Sequence, residues 1–282
     1  MHLRPRNTQC IAVRPPRSDD VGCMTTGSER PCVQSAAAAV RSSRRLSATI
    51  DHVTSLDDRA IGAMFELYDA YYAATSRPLF ESDLSNKDYV VTLREPSGQL
   101  AGFSTLDVME AEIGGASLRA IYSGDTIIDY AHWGTQALAF TWIRFAGTIK
   151  ACAPEKPLYW FLIVKGHRTY RYLSAFAVDF HPRWDRPTPA PARAIMDALA
   201  QRRFADAYDA KRGVVSFPRS RGHLKPQWAM IEPEEAARQD VSFFLRSNPG
   251  YTRGDELVCL TELAAANLRP LARRVFQQGF DA

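Results

Sequence analysis

Apolar and polar positions along the chain alternate with two different periods, and the switches between them outline its elements. SATIDHV alternates as a first strand, ordered from about Ala48. Leu56-Asp57-Asp58 then opens a helix on which Ile61, Met64, Phe65, Tyr68 and Tyr72 fall at helical spacing. That helix is expected to end near Thr75, ahead of Pro78. Residues 89–93 read as a strand, Glu95-Pro96-Ser97-Gly98 as a turn, and residues 100–108 as the antiparallel partner. After Gly114-Gly115 the pattern gives a strand over 118–128 and a helix over 133–148, with Leu138, Trp142 and Phe145 on one face. LYWFLIV (158–164) is the most apolar run, which suits a strand buried on both faces. A short helix over 168–176 and a strand over 178–184 follow. Beyond Pro187-Thr188-Pro189 the pattern predicts a helix over 191–212 stopped by Gly213, a short strand at 214–217, a helix over 234–246 and a strand over 256–263. A last helix spans 268–278, with Asn267 as N-cap and Gly279 past its end.

The 282 residues are 46% hydrophobic and 23% charged, which excludes a wholly disordered chain and suits one large domain or a domain with an extension. The net charge of +4 is unevenly spread. Residues 1–46 hold eight Arg against Asp19, Asp20 and Glu29, a local +5 that leaves the remainder near neutral. The high sequence pI of 8.8 therefore belongs to this segment and does not mark a nucleic-acid-binding face. The segment lacks periodicity and reads as a disordered basic leader, with Met24 as an alternative start. No run approaches the ~18 apolar residues of a membrane span, and Asp19 and Asp20 interrupt any secretory signal. Cys10, Cys23, Cys32, Cys152 and Cys259 form no paired motif, as expected of reduced thiols in a cytoplasm. His132, His181 and His223 have no metal-ligand spacing, so no metal is assigned. Hydrolase elbows, phosphate loops and dinucleotide glycine fingerprints are absent from the sequence.

The order β-α-β-β-β-α-β-α-β over residues 48–184 resembles that of the GNAT superfamily of acyl-CoA N-acyltransferases. The matching pieces are YVVTL, LAGFSTL, LRAIYSGDTII, WGTQALAFTWI and LYWFLIV, with RTYRYLSAFAVDF as the family's short helix and the strand after it. This resemblance implies an α/β fold over 47–187, with a mixed, mainly antiparallel central sheet flanked by helices. Residues 188–282 would then form a C-terminal α/β extension that packs on the sheet and completes it. It also implies a helix start that receives the donor pyrophosphate and a splayed strand that opens an acyl slot. No cofactor is bound permanently; acyl-CoA, or an acyl-phosphopantetheine on an acyl carrier protein, serves as co-substrate.

Family members usually begin the cofactor helix with Gln/Arg-x-x-Gly-x-Gly/Ala. Gly134 matches the first glycine, while Ala131 and Gln136 depart from the flanking positions. Phosphate binding needs free backbone N–H groups at the positive end of a helix, which Trp133, Gly134, Thr135 and Gln136 can supply. Lys165 and Arg168 read either as phosphate partners or as solvated side chains. The resemblance further implies a carboxylate that deprotonates the amine and a tyrosine that protonates the departing thiolate. Asp125 and Asp129 are expected to share a strand face with Ser123. Asp125 is the candidate base, and Asp129 is a helix cap or a second carboxylate. Tyr122, on the opposite face, reads as packing. Tyr170 and Tyr172 flank the register position of the family's acid, and either is equally a core residue. His167 reads as a loop histidine or as a further acid or base. Trp160 and Phe161 are candidates for lining an acyl tunnel. RSRGHLK (219–225) is a basic loop that suits a phosphate or an acidic substrate, or is solvated. The expected function is transfer of an acyl group from a thioester, with acyl carrier protein as one donor, to an amine of a small molecule or peptide. A non-catalytic binding module of the same fold is the alternative.

Overall fold

In the computed structural model residues Leu46–Ala282 are described; the expectation of a disordered leader falls outside the described residues. Local chemistry sets the helix starts. The Asp57 carboxylate accepts from the Ala60 N–H at 2.7 Å and caps α1 (Asp58–Tyr71). Ser76 caps α2 (Arg77–Leu84), and Pro78 occupies its first turn, where a missing N–H costs nothing. The sequence pattern treats this proline only as a stop, and α2 is absent from it. Further on come α3 (Ala137–Ala151), α4 (His167–Phe176), α5 (Ala190–Phe204), α6 (Gln239–Ser247) and α7 (Pro270–Phe280).

Eight strands form one sheet. They are β1 (Ser47–His52), β2 (Tyr89–Arg94), β3 (Leu100–Ile113), β4 (Ala116–Ile128), β5 (Leu158–Val164), β6 (Tyr208–Asp209), β7 (Val214–Val215) and β8 (Glu256–Glu262). Their spatial order is β1-β2-β3-β4-β5-β8-β7-β6, and every neighbouring pair is antiparallel except β4 and β5. The expected α/β class, a mixed and mainly antiparallel sheet flanked by helices, is what the chain adopts.

Several boundaries differ from the pattern. Residues 178–184 form no strand of the sheet, because β8 takes the place beside β5 and leaves His181 a single bridge to Leu260. The helix expected to reach residue 212 ends at Phe204, where Ala205 turns the chain with φ 46°. Residues 234–246 divide into a short turn of helix (Pro233–Ala236) and α6. Asn267 does not cap α7. Its amide accepts from the Asp179 N–H at 2.8 Å and donates to the Asp179 carbonyl at 3.0 Å, fastening residues 178–184 to the chain after β8, and Gly279 lies inside the helix.

Helices α1, α2 and α5 cover one face of the sheet. One part of that core joins Met64, Phe80, Val90, Phe103 and Ile127; the other joins Tyr122, Phe161, Met196, Leu199 and Leu260. Burial of each such side chain contributes about 1.5–3 kcal/mol. On the opposite face α3 and α7 cross at two glycines, Gly147 and Gly279. A Cβ on Gly147 would stand 2.0 Å from the Phe276 carbonyl oxygen, and one on Gly279 would stand 1.8 Å from that of Arg144.

Candidate active site

β4 and β5 run side by side from Arg119↔Leu158 to Ser123↔Leu162 and then part, although both strands continue. At the point of parting β4 carries a bulge. Its register with β3 steps from Ser123↔Leu106 to Thr126↔Ser104, so Gly124 and Asp125 stand opposite Thr105 alone. Glycine is required here by crowding: a Cβ on Gly124 would lie 2.6 Å from the Thr105 hydroxyl oxygen and 2.7 Å from Lys87 Cε. The extra residue reverses the alternation of the strand. Asp125 consequently lines a cavity together with Tyr122, while Ser123 lies on the other face and accepts from Trp160 Nε1 at 2.9 Å. The expectation that Asp125 and Ser123 share a face, with Tyr122 opposite, is corrected by this bulge.

The cavity encloses about 840 Å³, within the range of small-molecule sites. Its middle is polar. Lys165 Nζ lies 3.4 Å from Glu256 Oε1, in a pair buried at the end of β5 and the start of β8, and 5.5 Å from the centre of the Tyr72 ring. Buried Lys87 reaches Asp83 Oδ2 at 2.5 Å and stands 5.5 Å from the Tyr122 ring centre. Asp125 has neither a hydrogen bond nor an ion pair to another side chain among the described residues. Burial raises its pKa above the usual carboxylate range, and Asp83 adds to this against the pull of Lys165 and Lys87. Burial likewise pushes Glu256 up to about 7, opposed by Lys165 and reinforced by Asp125. For Lys165 burial favours the neutral amine, but Glu256, Tyr68, Asp125 and Tyr72 outweigh it and hold the ammonium well above its ordinary value. The hydroxyls of Tyr68, Tyr72 and Tyr122 are all raised, chiefly by burial.

The other proposed site residues divide. Trp133, Gly134, Arg168, His167 and Tyr172 line the cavity with Asp125 and Lys165, whereas Thr135, Gln136 and Tyr170 do not. Lys165 is an interior ion-pair partner, not a solvated lysine. Tyr170 is enclosed by Phe180, Phe243 and Phe244, and its hydroxyl donates to the Pro182 carbonyl at 2.9 Å. His167 is a buried first residue of α4, not a loop histidine. Its Nε2 lies 3.0 Å from Glu235 Oε1, and burial lowers its pKa against the pull of that carboxylate. Asp129 accepts from the Ala131 N–H at 2.9 Å and caps the turn Tyr130–His132. Trp160 packs beneath α3 on Trp142, and Phe161 is fully buried in the core, so neither borders the cavity. Ile163 and Lys165, further along the strand face of Phe161, border it instead.

The helix after Gly134 starts later than expected. Gly134 has φ 89° and open space where a side chain would be. The first helical bond runs from the Phe140 N–H to the Gln136 carbonyl at 2.8 Å, so the Leu138 and Ala139 N–H groups have no acceptor within the helix. Arg168 stacks 4.7 Å from the centre of the Trp133 ring. The basic loop roofs the cavity. His223 pairs with Ala73 and Leu224 with Tyr72, Gly222 passes the Tyr68 hydroxyl too closely for any side chain, and Arg221 lies over the Phe217 ring at 4.5 Å.

Glu256 and Lys87 were not singled out from the sequence, and Tyr68 and Tyr72 were read only as part of an apolar helix stripe. The signal for Glu256 is its place in ELVCLTEL, where it shares a strand face with Val258 and Leu260 and so sets a carboxylate on a core face. Among the described residues no group of three or more His, Cys, Asp or Glu is placed to hold a metal, and no helix is long and apolar enough to cross a membrane.

Fold and cavity together define an α/β protein in which a mixed, mainly antiparallel sheet parts beside a buried carboxylate. No family model and no curated protein matches the chain. Among solved structures it is similar to an acyl-CoA N-acyltransferase from Pseudomonas aeruginosa, at 16% identity and TM-score 0.35, covering 48% of this chain and 90% of that one. It is similar to a GNAT family N-acetyltransferase from Escherichia coli in complex with CoA, at 14% identity and TM-score 0.33, covering 47% and 69%. A conserved protein of unknown function from Enterococcus faecalis V583, described as a probable N-acyltransferase, is similar at 13% identity and TM-score 0.34, covering 45% of this chain and 31% of that one. The chain thus spans less than a third of the Enterococcus protein, and the likeness is one of fold.

Proposed function

We propose that this chain is an N-acyltransferase of the cytoplasm that moves an acyl group from a phosphopantetheine thioester, carried by CoA or by an acyl carrier protein, to an amine. The observation that carries this reading is the unpartnered Asp125 carboxylate at the bulge where β4 and β5 part. An ammonium is no nucleophile, so a carboxylate with a raised pKa has the right strength to take its proton near neutral pH. The freed amine nitrogen attacks the thioester carbonyl; the C–N bond forms and the C–S bond breaks. Tyr172, which lines the same cavity with its hydroxyl pKa raised by burial, is the group proposed to protonate the leaving thiolate. It regains a proton as the new amide nitrogen loses one. Gly134, the free N–H groups of α3 and Arg168 would hold the donor phosphates.

The test measures thermal midpoint with CoA, acetyl-CoA and octanoyl-CoA, and thiol release when amines are added. A ligand at 100 times its dissociation constant adds about 2.7 kcal/mol, which moves a domain of this size by roughly 5–10 °C. A rise with thiol release supports the transferase. A rise without release, across all amines tried, leaves a binding module, and an unchanged midpoint with every thioester, acyl-phosphopantetheine included, removes the reading.

A further inference from the structure

Most charges that border the cavity have an ion-pair partner, on the cavity wall or just behind it. Lys165 pairs with Glu256, Lys87 with Asp83, and Arg203 with Asp107. Among the described residues bordering the cavity, those left without an oppositely charged partner are Asp125 in the middle, Arg168 at the end near α3, and Arg202 and Arg221 at the end formed by α5 and the roof loop. Arg168 belongs to the donor end already described. Among the described residues, Arg202 donates only to the Glu110 carbonyl, and Arg221 makes only its stacking contact with Phe217.

That remainder has the complementary charge pattern of a small molecule with a cationic group and an anionic group. Aromatic rings line the cavity as well: Phe204 and Phe217 border the arginine end, and the Tyr122 ring centre lies 3.9 Å from Arg203 and 5.5 Å from Lys87. Arg203 is held by Asp107 and the ring, and so shapes this end without offering its own charge. Guanidinium groups suit carboxylate and phosphate alike, because their planar N–H pairs match two oxygens at once.

Resting on the acyltransferase reading, we propose that the acceptor is an amine that also carries an anionic group, its ammonium set against Asp125 and its carboxylate or phosphate held by Arg202 and Arg221. The two arginines are positioning residues: they fix which end of the acceptor points at the parted strands and touch none of the reacting atoms. The loop RSRGHLK thereby acquires a purpose, since Gly222 lets it lie against Tyr68 and so brings Arg221 to the cavity.

Calorimetric titration of the full chain at pH 7 with two pairs of product mimics tests this. One pair is N-octanoylglycine and N-octanoylglycinamide; the other is N-octanoyl-phosphoethanolamine and N-octanoylethanolamine. The anionic member of at least one pair is expected to bind at least tenfold more tightly than its neutral partner, and the pair that shows the preference names the anion. In the Arg202→Gln/Arg221→Gln double variant the preference should fall to threefold or less while affinity for the neutral partner holds. Arg246→Gln, which removes an exposed charge away from the cavity, should leave the preference in place. Equal affinity within both pairs, a preference that survives the double variant, or no binding of any mimic overturns the proposal. If octanoyl-CoA still raises the thermal midpoint in that case, the acyltransferase reading stands and only the acceptor class falls; if no thioester binds, the reading itself falls.

Discussion

Two aspartates four positions apart, Asp125 within β4 and Asp129 just past its end, have different work because of what surrounds each. Asp129 is occupied as a cap, and Asn caps about as well, so Asp129→Asn should keep most of the turnover. Asp125→Asn keeps shape and loses the proton acceptor. Single-turnover acyl transfer should slow by the ~10²–10⁴ typical of general-base loss, with donor binding unchanged. Full activity in Asp125→Asn would remove it from the mechanism. Glu256 leads to a prediction about stability. Its carboxyl, pushed from 4.5 up to about 7, binds its proton more tightly in the folded protein than in the unfolded chain. Stability therefore declines as pH rises through that window. His167 and His181, lowered from 6.5 chiefly by burial, contribute the opposite slope as pH falls, so only the difference between parent and variant isolates Glu256. Denaturant titrations of Glu256→Gln from pH 4.5 to 7 should show a smaller decline with pH, whatever the overall loss from stranding Lys165. An unchanged slope would mean that Glu256 titrates normally. Asp125 was legible in the sequence because a carboxylate inside an apolar strand needs a reason. Glu256 carried the same signal, but its pairing with Lys165 joins positions far apart in sequence and needs the sheet order to be known.

At the scale of elements, the crossing of α3 and α7 gives a case where two effects oppose. Alanine is favoured over glycine inside a helix by about 1 kcal/mol. At Gly279, however, the new methyl would meet the Arg144 carbonyl, which belongs to helix backbone and cannot swing aside. Overpacking costs about 1–3 kcal/mol, so Gly279→Ala should lower the thermal midpoint by several degrees. Octanoyl-CoA affinity should hold, because the contact falls at Arg144, about two turns along α3 from the helix start proposed to hold the donor phosphates. A midpoint that rises would show that the helices separate freely. Elements with an unbroken apolar period, such as α1 and β5, were readable. Those defined by partners were not. Residues 178–184 alternate like a strand and lose their place to β8, and α2 hides behind a proline that marks its start. The bulge at Gly124 is the costliest omission, since periodicity assumes an unbroken ladder and a single extra residue moved Asp125 to the face where it lines the cavity.

For the molecule as a whole, β8 covers the edge of β5 that β4 leaves open and supplies Glu256 to the cavity. A chain ending at residue 187 should therefore lose cooperative thermal unfolding, and a sharp transition in that fragment would show that residues 47–187 fold unaided. The pairing of β5 with β8 also governs what happens while the protein is being made. At synthesis rates of about 5–20 residues per second, the interval between the emergence of LYWFLIV and of its partner strand is roughly 5–20 s. Throughout that interval the most apolar strand of the chain has an uncovered edge, which is a template for pairing with other nascent chains. The same exposure returns whenever the unfolded protein is diluted from denaturant, so the yield of refolding should fall as protein concentration rises, and an early encounter with a chaperone that shields strand edges would raise it.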